Sequence, residues 1–241
     1  MRNNNILIIL LFVSSMVFSQ DARDFKTPES VMQYFVDNFK IGNFDNVFLA
    51  SPFSDDSLVK KINPREMLNY TGIVLFHLDP NLPLQYHSII KINLLGQYSA
   101  GLKRFIFSLL LSEKYPELVN LYSLEISDLL LDNYFSLLEI KNLLSLELIR
   151  MDIYLPEIQF SERGKNNALR QYNKILGCDE KIEYTVLYKH NGNYYAGGVI
   201  VVRYGENWYI ESLSGTYSNI SIGGLIKVTG ISDYLNEYEI K

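Results

Sequence analysis

Three apolar segments separated by two turns constrain this chain more than any other feature. Ile182 to Lys189 alternates, with Ile182, Tyr184, Val186 and Tyr188 on one side and Glu183, Thr185 and Lys189 on the other. That is the period of a strand with one buried face. Asn191-Gly192 follows, the dipeptide a type I′ hairpin favours because both central residues take positive φ. Tyr194 to Tyr204 forms the second segment, Gly205-Glu206-Asn207 the next connection, and Trp208 to Leu213 the third segment. The spacing predicts an antiparallel meander over 182–213. Gly197-Gly198 inside its longest strand predicts a bulge or bend.

Upstream the period changes to that of helices. Thr27-Pro28-Glu29 is a helix start, with a capping residue, proline at the first helical position and an acid against the dipole. Val31, Tyr34, Phe35 and Phe39 make one apolar stripe, Gly42 ends the helix, and Asn43 caps a second one through Phe44, Val47 and Phe48 that Pro52 closes. Residues 53–95 carry no decisive period, and Asp79 to Pro83 reads as a loop. From Gly96 to Lys114 the helical pattern is strong, through Tyr98, Leu102, Phe105, Ile106 and Leu109. Pro116 restarts a helical pattern that runs to about Asn133, and a further short helix is expected from Tyr134 to Asn142. Leu144 to Leu155 returns to alternation, and its apolar side changes near Leu148-Ile149, which predicts a bulge. Ser161 to Leu176 is again helical, with Gly177 as its stop. Ser218 to Thr229 is expected to hold a last strand or irregular edge, followed by a polar tail.

The first residues have the order of an export signal. Arg2 is the positive start, Ile6 to Val13 the apolar centre and Val17-Phe18-Ser19 the small-residue cleavage site. Cleavage before Gln20 is expected, leaving one domain, 20–241, that is periplasmic or extracellular. The apolar run is too short to span a bilayer, so no transmembrane span is expected in the mature chain. The ending Phe-Ser-Gln resembles the signals of exported bacterial proteins. Cys178 is the only cysteine, so no internal disulfide forms and packing must hold the fold. The net charge of −5 and the absence of a basic run exclude nucleic acid as the main partner.

Thr27-Pro28-Glu29-Ser30-Val31 through Gly42-Asn43-Phe44-Asp45, together with Gly205-Glu206-Asn207-Trp208-Tyr209-Ile210, resembles the first helices and closing strand of the NTF2-like (cystatin-like cone) superfamily. The resemblance covers about a quarter of the chain. It implies an α+β fold with helices packed on a curved antiparallel sheet; the helical block at 53–142 departs from the compact family pattern and reads as an insertion, followed by a sheet-rich part at 143–230. It also implies a pocket between helices and sheet, which members use for catalysis, binding or dimer formation. No catalytic set of that superfamily maps residue by residue onto this chain.

Motifs that would carry chemistry are sparse. His77, His87 and His190 form no HExxH pair and have no cysteine partner, so no metal is expected. His77 and Asp79 share only a chance spacing, and His190 at a hairpin corner reads as a solvated loop residue. Gly96 to Gly101 has Gln97 where a nucleophile elbow needs glycine two residues before the serine. Phosphate-binding glycine loops are absent, and no cofactor is expected. Tyr184, Tyr188, Tyr195 and Trp208 make the meander aromatic, either as a stacking surface for a ligand or as ordinary strand packing. Glu211 beside Trp208 and Tyr209 could be a pocket carboxylate with a raised pKa. Alternation sets it opposite Trp208 and Ile210, and there it would face solvent if Trp208 points inward. The reading is a secreted or periplasmic non-enzymatic protein that binds a small apolar ligand or a protein partner through its aromatic sheet. Tyr184, Tyr188, Tyr195, Trp208 and Glu211 are its expected ligand-binding residues. The alternative is a hydrolase or isomerase using Glu211 or Asp152, and self-association into a homodimer through the sheet is a third reading.

Overall fold

The computed structural model describes residues 25–63, 83–110, 139–153, 173–214 and 224–237. Helix α1 (Pro28–Lys40) starts where expected, because Thr27 and Ser30 cap each other: each backbone N–H donates to the other's hydroxyl at 3.1 Å. It buries Val31, Met32, Phe35, Val36 and Phe39. Gly42, at φ 72°, turns the chain into α2 (Phe44–Leu49), capped by the Asn43 side chain. A 3₁₀ turn (Pro52–Ser54) and the single-turn α3 (Asp56–Val59) follow.

Helix α4 (Pro83–Leu110) opens at Pro83, not at Gly96, and the expected loop at 79–83 therefore gives way to helix at its last residue. Gly96 costs roughly 1 kcal/mol in a helix interior and reads locally as a boundary. The turns on both sides bury Ile90, Leu94, Tyr98, Leu102, Phe105 and Leu109, and each such side chain contributes about 1.5–3 kcal/mol. The spine outweighs the glycine.

Among the described residues, five antiparallel strands make one sheet: β1 (Glu147–Ile153), β2 (Glu180–His190), β3 (Asn193–Tyr204), β4 (Asn207–Ser212) and β5 (Ile226–Val228). The order is β1-β2-β3-β4, with β5 paired to the first half of β3. Asn191 and Gly192 both take positive φ at the β2–β3 turn, as the dipeptide predicts. The β1 bulge falls between Leu148 and Arg150, at the expected place. The second bulge does not fall at Gly197-Gly198, where the register with β2 is unbroken. It falls between β3 and β4, where Ile200 faces Ser212 and Val201 faces Ile210, so Glu211 is the extra residue. Gly197 answers a packing demand instead: a Cβ there would stand 2.4 Å from Leu225 Cδ2. After β5 the chain forms helix α5 (Ile231–Glu237), where a polar tail was expected. The reason is one anchor, Tyr234, buried on the sheet beside Leu187, Ala196 and Val228.

Both sheet faces are covered. One carries the main core, in which Tyr184, Tyr188, Tyr195 and Trp208 pack with α1, α2 and the second half of α4. On the other, Val202 and Tyr204 pack with Leu58, Ile62, Ile90 and Leu94, so α4 serves both cores. Two backbone bonds stitch the helical hairpin to the outer edge of β4, Trp208 N–H to Phe25 O at 2.6 Å and Ile210 N–H to Ala50 O at 2.8 Å. This is the α+β arrangement of helices on an antiparallel sheet that the sequence predicts. No helix among the described residues is long and apolar enough to cross a membrane. The calls on residues 1–24, on 64–82, on 111–138 and on Tyr154 to Tyr172 lie outside the described residues.

Candidate functional site

The four aromatic residues expected to bind a ligand are brought together, but against the protein's own helices. Tyr184, Tyr188, Tyr195 and Trp208 are all buried in the main core. Phe105 of α4 meets the Tyr188 ring edge-on at 5.1 Å and stacks edge-on with Phe39 of α1 at 5.2 Å. Such pairs add about 0.5–1.5 kcal/mol beyond area burial. The Tyr188 hydroxyl is sealed in this core and finds no hydrogen-bond partner among the described residues. Burial raises the phenol pKa of Tyr188 and, more modestly, pushes Tyr184 up to about 12.

Glu211 lies apart from them, on the second face, as alternation predicts. Trp208 does point inward, yet Glu211 does not face solvent, because that face is covered too. It is half-buried as a residue, its Oε2 is sealed, and that oxygen has no hydrogen-bond partner among the described residues. Burial raises the carboxyl pKa, the Lys181 ammonium opposes the rise, and the Glu183 carboxylate adds to it. Burial lowers the Lys181 pKa, while Glu211 and Glu183 pull it back. The β4 bulge thus sets a carboxyl group whose pKa is raised by burial near a lysine whose pKa is lowered by burial, each charge partly offsetting the other's shift.

Beside this cluster, burial pushes the Cys178 thiol up to about 11, so it is a poor nucleophile. The Tyr204 hydroxyl donates to Leu176 O at 2.9 Å. Asp152, the other carboxylate considered, is occupied: Arg150 grips both its oxygens and the Tyr234 hydroxyl lies 3.0 Å from Oδ2.

His190 is buried and not a solvated loop residue. Its Nδ1 is 3.0 Å from Ser145 Oγ, and Asn191 Nδ2 is 3.2 Å from its Nε2. With the Asn191 amide donating to Nε2, the imidazole carries its proton on Nδ1. Ser145 donates to Asn191 Oδ1 at 2.6 Å and accepts the Asn191 N–H at 3.1 Å. The serine proton therefore goes to the amide and not to the imidazole, which is a structural clasp between the β2–β3 turn and the turn before β1, and not a nucleophile. No group of three His, Cys, Asp or Glu residues among the described residues could hold a metal ion. His87 is half-buried on α4, with Nδ1 unpartnered among the described residues; His77 lies outside them. Gly96 to Gly101 is mid-helix, which removes any nucleophile elbow.

Another surface was not foreseen. Opposite its buried spine, α4 lines an open groove of about 420 Å³ with Ile89, Ile92, Asn93, Gly96, Gln97 and Ala100. Ile92 is 73% exposed. Its sequence signal was two isoleucines off the core stripe and two small residues four apart. Starting the helix at Gly96 hides both isoleucines.

No protein-family model matches the chain, and no curated protein matches it. A solved structure of a cystatin-like protein from Ruminococcus gnavus is similar in fold, with a TM-score of 0.47 and 16% identity over 93% of this chain and 48% of that one. The chain thus spans about half the length of that structure. A TM-score below 0.5 at that identity assigns neither family nor function.

Proposed function

We propose that this chain is an exported, non-enzymatic protein on an NTF2-like core that recognises another protein through the open face of α4. The order of Arg2, the Ile6–Val13 run and Val17-Phe18-Ser19 supports export. One observation carries the recognition reading: the groove around Ile92 stays open, while the aromatic sheet face expected to receive a ligand is filled by the protein's own side chains. Large exposed apolar residues rimmed by polar ones mark interaction surfaces. A photo-crosslinking residue at Gln97, in the exported protein within its own envelope, tests this. A discrete protein adduct that Ile92→Ser abolishes is the expected result. A chain that crosslinks to nothing, or that carries a retained small-molecule mass by native mass spectrometry, overturns it.

A second reading rests on Glu211. A carboxyl with a sealed, unpartnered oxygen near Lys181 suits general acid–base work in a hydrolase or isomerase. Isotope-edited infrared titration of the Glu211 carboxyl checks it, and an ordinary carboxylate midpoint removes the reading.

A further inference from the structure

We propose that Asn191 is a latent modification site: its amide is kept from cyclising onto Gly192 by the folded chain and is released to do so when the clasp at the β2–β3 turn opens. Asn191-Gly192 is the one Asn-Gly pair in the sequence. Glycine has no side chain to hinder its nitrogen, so this dipeptide closes to a succinimide more readily than any other that begins with asparagine. The Gly192 nitrogen gives its proton to solvent and bonds to Asn191 Cγ. The Cγ–Nδ2 bond breaks, and Nδ2 leaves as ammonia with a proton returned by solvent. Water then opens the ring at Cγ, which gives aspartate, or at the main-chain carbonyl, which gives isoaspartate. Water enters and ammonia leaves, and no other reactant takes part.

Burial does not protect the pair. Asn191 and Gly192 are both exposed, and nothing stands within 4 Å of where a Gly192 Cβ would be. Protection comes from where the amide is held. Ser145 Oγ lies 2.6 Å from Asn191 Oδ1 and 3.1 Å from Asn191 N, so the side-chain carbonyl is drawn to the amino side of its own residue. Cyclisation needs Cγ on the carboxyl side, about 3–3.5 Å from the attacking nitrogen. To reach it, Oδ1 must leave Ser145, and Nδ2 must leave His190 Nε2 at 3.2 Å.

These bonds run in a closed ring. His190 Nδ1 donates to Ser145 Oγ at 3.0 Å, Ser145 to Asn191 Oδ1, and Asn191 Nδ2 to His190 Nε2. Each orients the next, so they strengthen one another. The frame around them is packed: His190 is buried, and Ser145 stands between Leu143 and Leu146 of the main core. The reaction therefore waits until the turn parts from the segment before β1. Afterwards the clasp does not re-form as it was. Aspartate sets an oxygen where Nδ2 donated, facing the lone pair of Nε2. Isoaspartate adds one main-chain atom between His190 and Asn193, which pair across the turn. The modified fraction thus records the time that the clasp has spent open.

Peptide mapping tests this on the protein incubated at mildly alkaline pH, with mass spectrometry following the change from amide to acid at Asn191. The native chain should react at least about tenfold more slowly than the guanidinium-denatured chain. Ser145→Ala, with its fold checked by circular dichroism, should bring the rate close to the denatured one. Ser145→Thr, which keeps a hydroxyl there, should stay slow. Equal rates in the native and denatured chains overturn the proposal without recourse to any variant. A folded Ser145→Ala protein as slow as the native one also overturns it, because the turn itself would then be the protection and the clasp would add nothing.

Discussion

The Tyr234 hydroxyl lies 3.0 Å from Asp152 Oδ2 and 3.0 Å from the Thr185 carbonyl oxygen. It thereby joins α5 to β1 and β2 at a point where Asp152 is also held by Arg150. A helix of seven residues has no stability of its own, so this contact and the buried ring keep it in place. Tyr234→Phe should cost about 1–2 kcal/mol, since hydrogen bonds to charged groups sit at the upper end of the usual range. Tyr234→Ala should cost about 3–5 kcal/mol and free α5. Urea unfolding measures both, and amide exchange at 231–237 should rise to that of an unfolded segment only in the alanine variant.

Two buried tyrosines should respond oppositely to loss of their hydroxyls. Tyr98 donates to Val47 O at 3.2 Å, whereas Tyr188 has no partner among the described residues. Tyr98→Phe should cost about 0.5–1.5 kcal/mol. Tyr188→Phe should be neutral or stabilise by up to about 1–2 kcal/mol, because it removes a buried, unpaired polar group. The comparison also bears on the sheet as a ligand surface. A ligand that used the Tyr188 hydroxyl would make the phenylalanine variant lose a bound mass, and thermal melts with native mass spectrometry report both effects.

What could be read in the sequence was local chemistry. Thr27-Pro28, Gly42-Asn43, Asn191-Gly192 and the change of apolar side at Leu148-Ile149 each act through neighbours within a few residues, and each stands where it was expected. What escaped depends on distant packing. The first half of α4 exists because Ile90 and Leu94 meet Val202 and Tyr204 across the fold. The α5 helix exists because Tyr234 finds β1 and β2. For the candidate site, alternation placed Glu211 opposite Trp208, but whether that side is wet or sealed depends on what covers it. The groove was missed with the helix turn that forms its first half.

Glu211 gives a pH dependence with a definite sign. Its folded-state pKa is raised above the ordinary carboxylate value of 4.5, so between those two values the folded chain binds more protons than the unfolded one. Stability contributed by the protonated form is therefore full below 4.5 and is lost as pH rises through the raised pKa. Glu211→Gln, which mimics the neutral form, should match the native chain at low pH and exceed it increasingly toward neutrality. Thermal melts across pH 4 to 8 follow this difference, and parallel curves would show that Glu211 titrates as an exposed carboxylate.

Cys178 provides a kinetic check on the same neighbourhood. Its thiol is buried, its Sγ lies 3.5 Å from Asn173 Oδ1, and burial pushes its pKa up to about 11 from an ordinary value of 9.0. Attack on a disulfide or maleimide needs the thiolate, so near pH 8 the folded protein should react roughly a hundredfold more slowly than the denatured chain. Restricted access slows it further. Adding denaturant should restore the rate along the same transition that circular dichroism reports. Gly177 supplies the control, because at φ +64° a Cβ there would stand 2.3 Å from the Lys61 carbonyl oxygen. Gly177→Ala should thus open the turn that buries Cys178, cost at least about 1–2 kcal/mol, and raise the rate of labelling in the absence of denaturant.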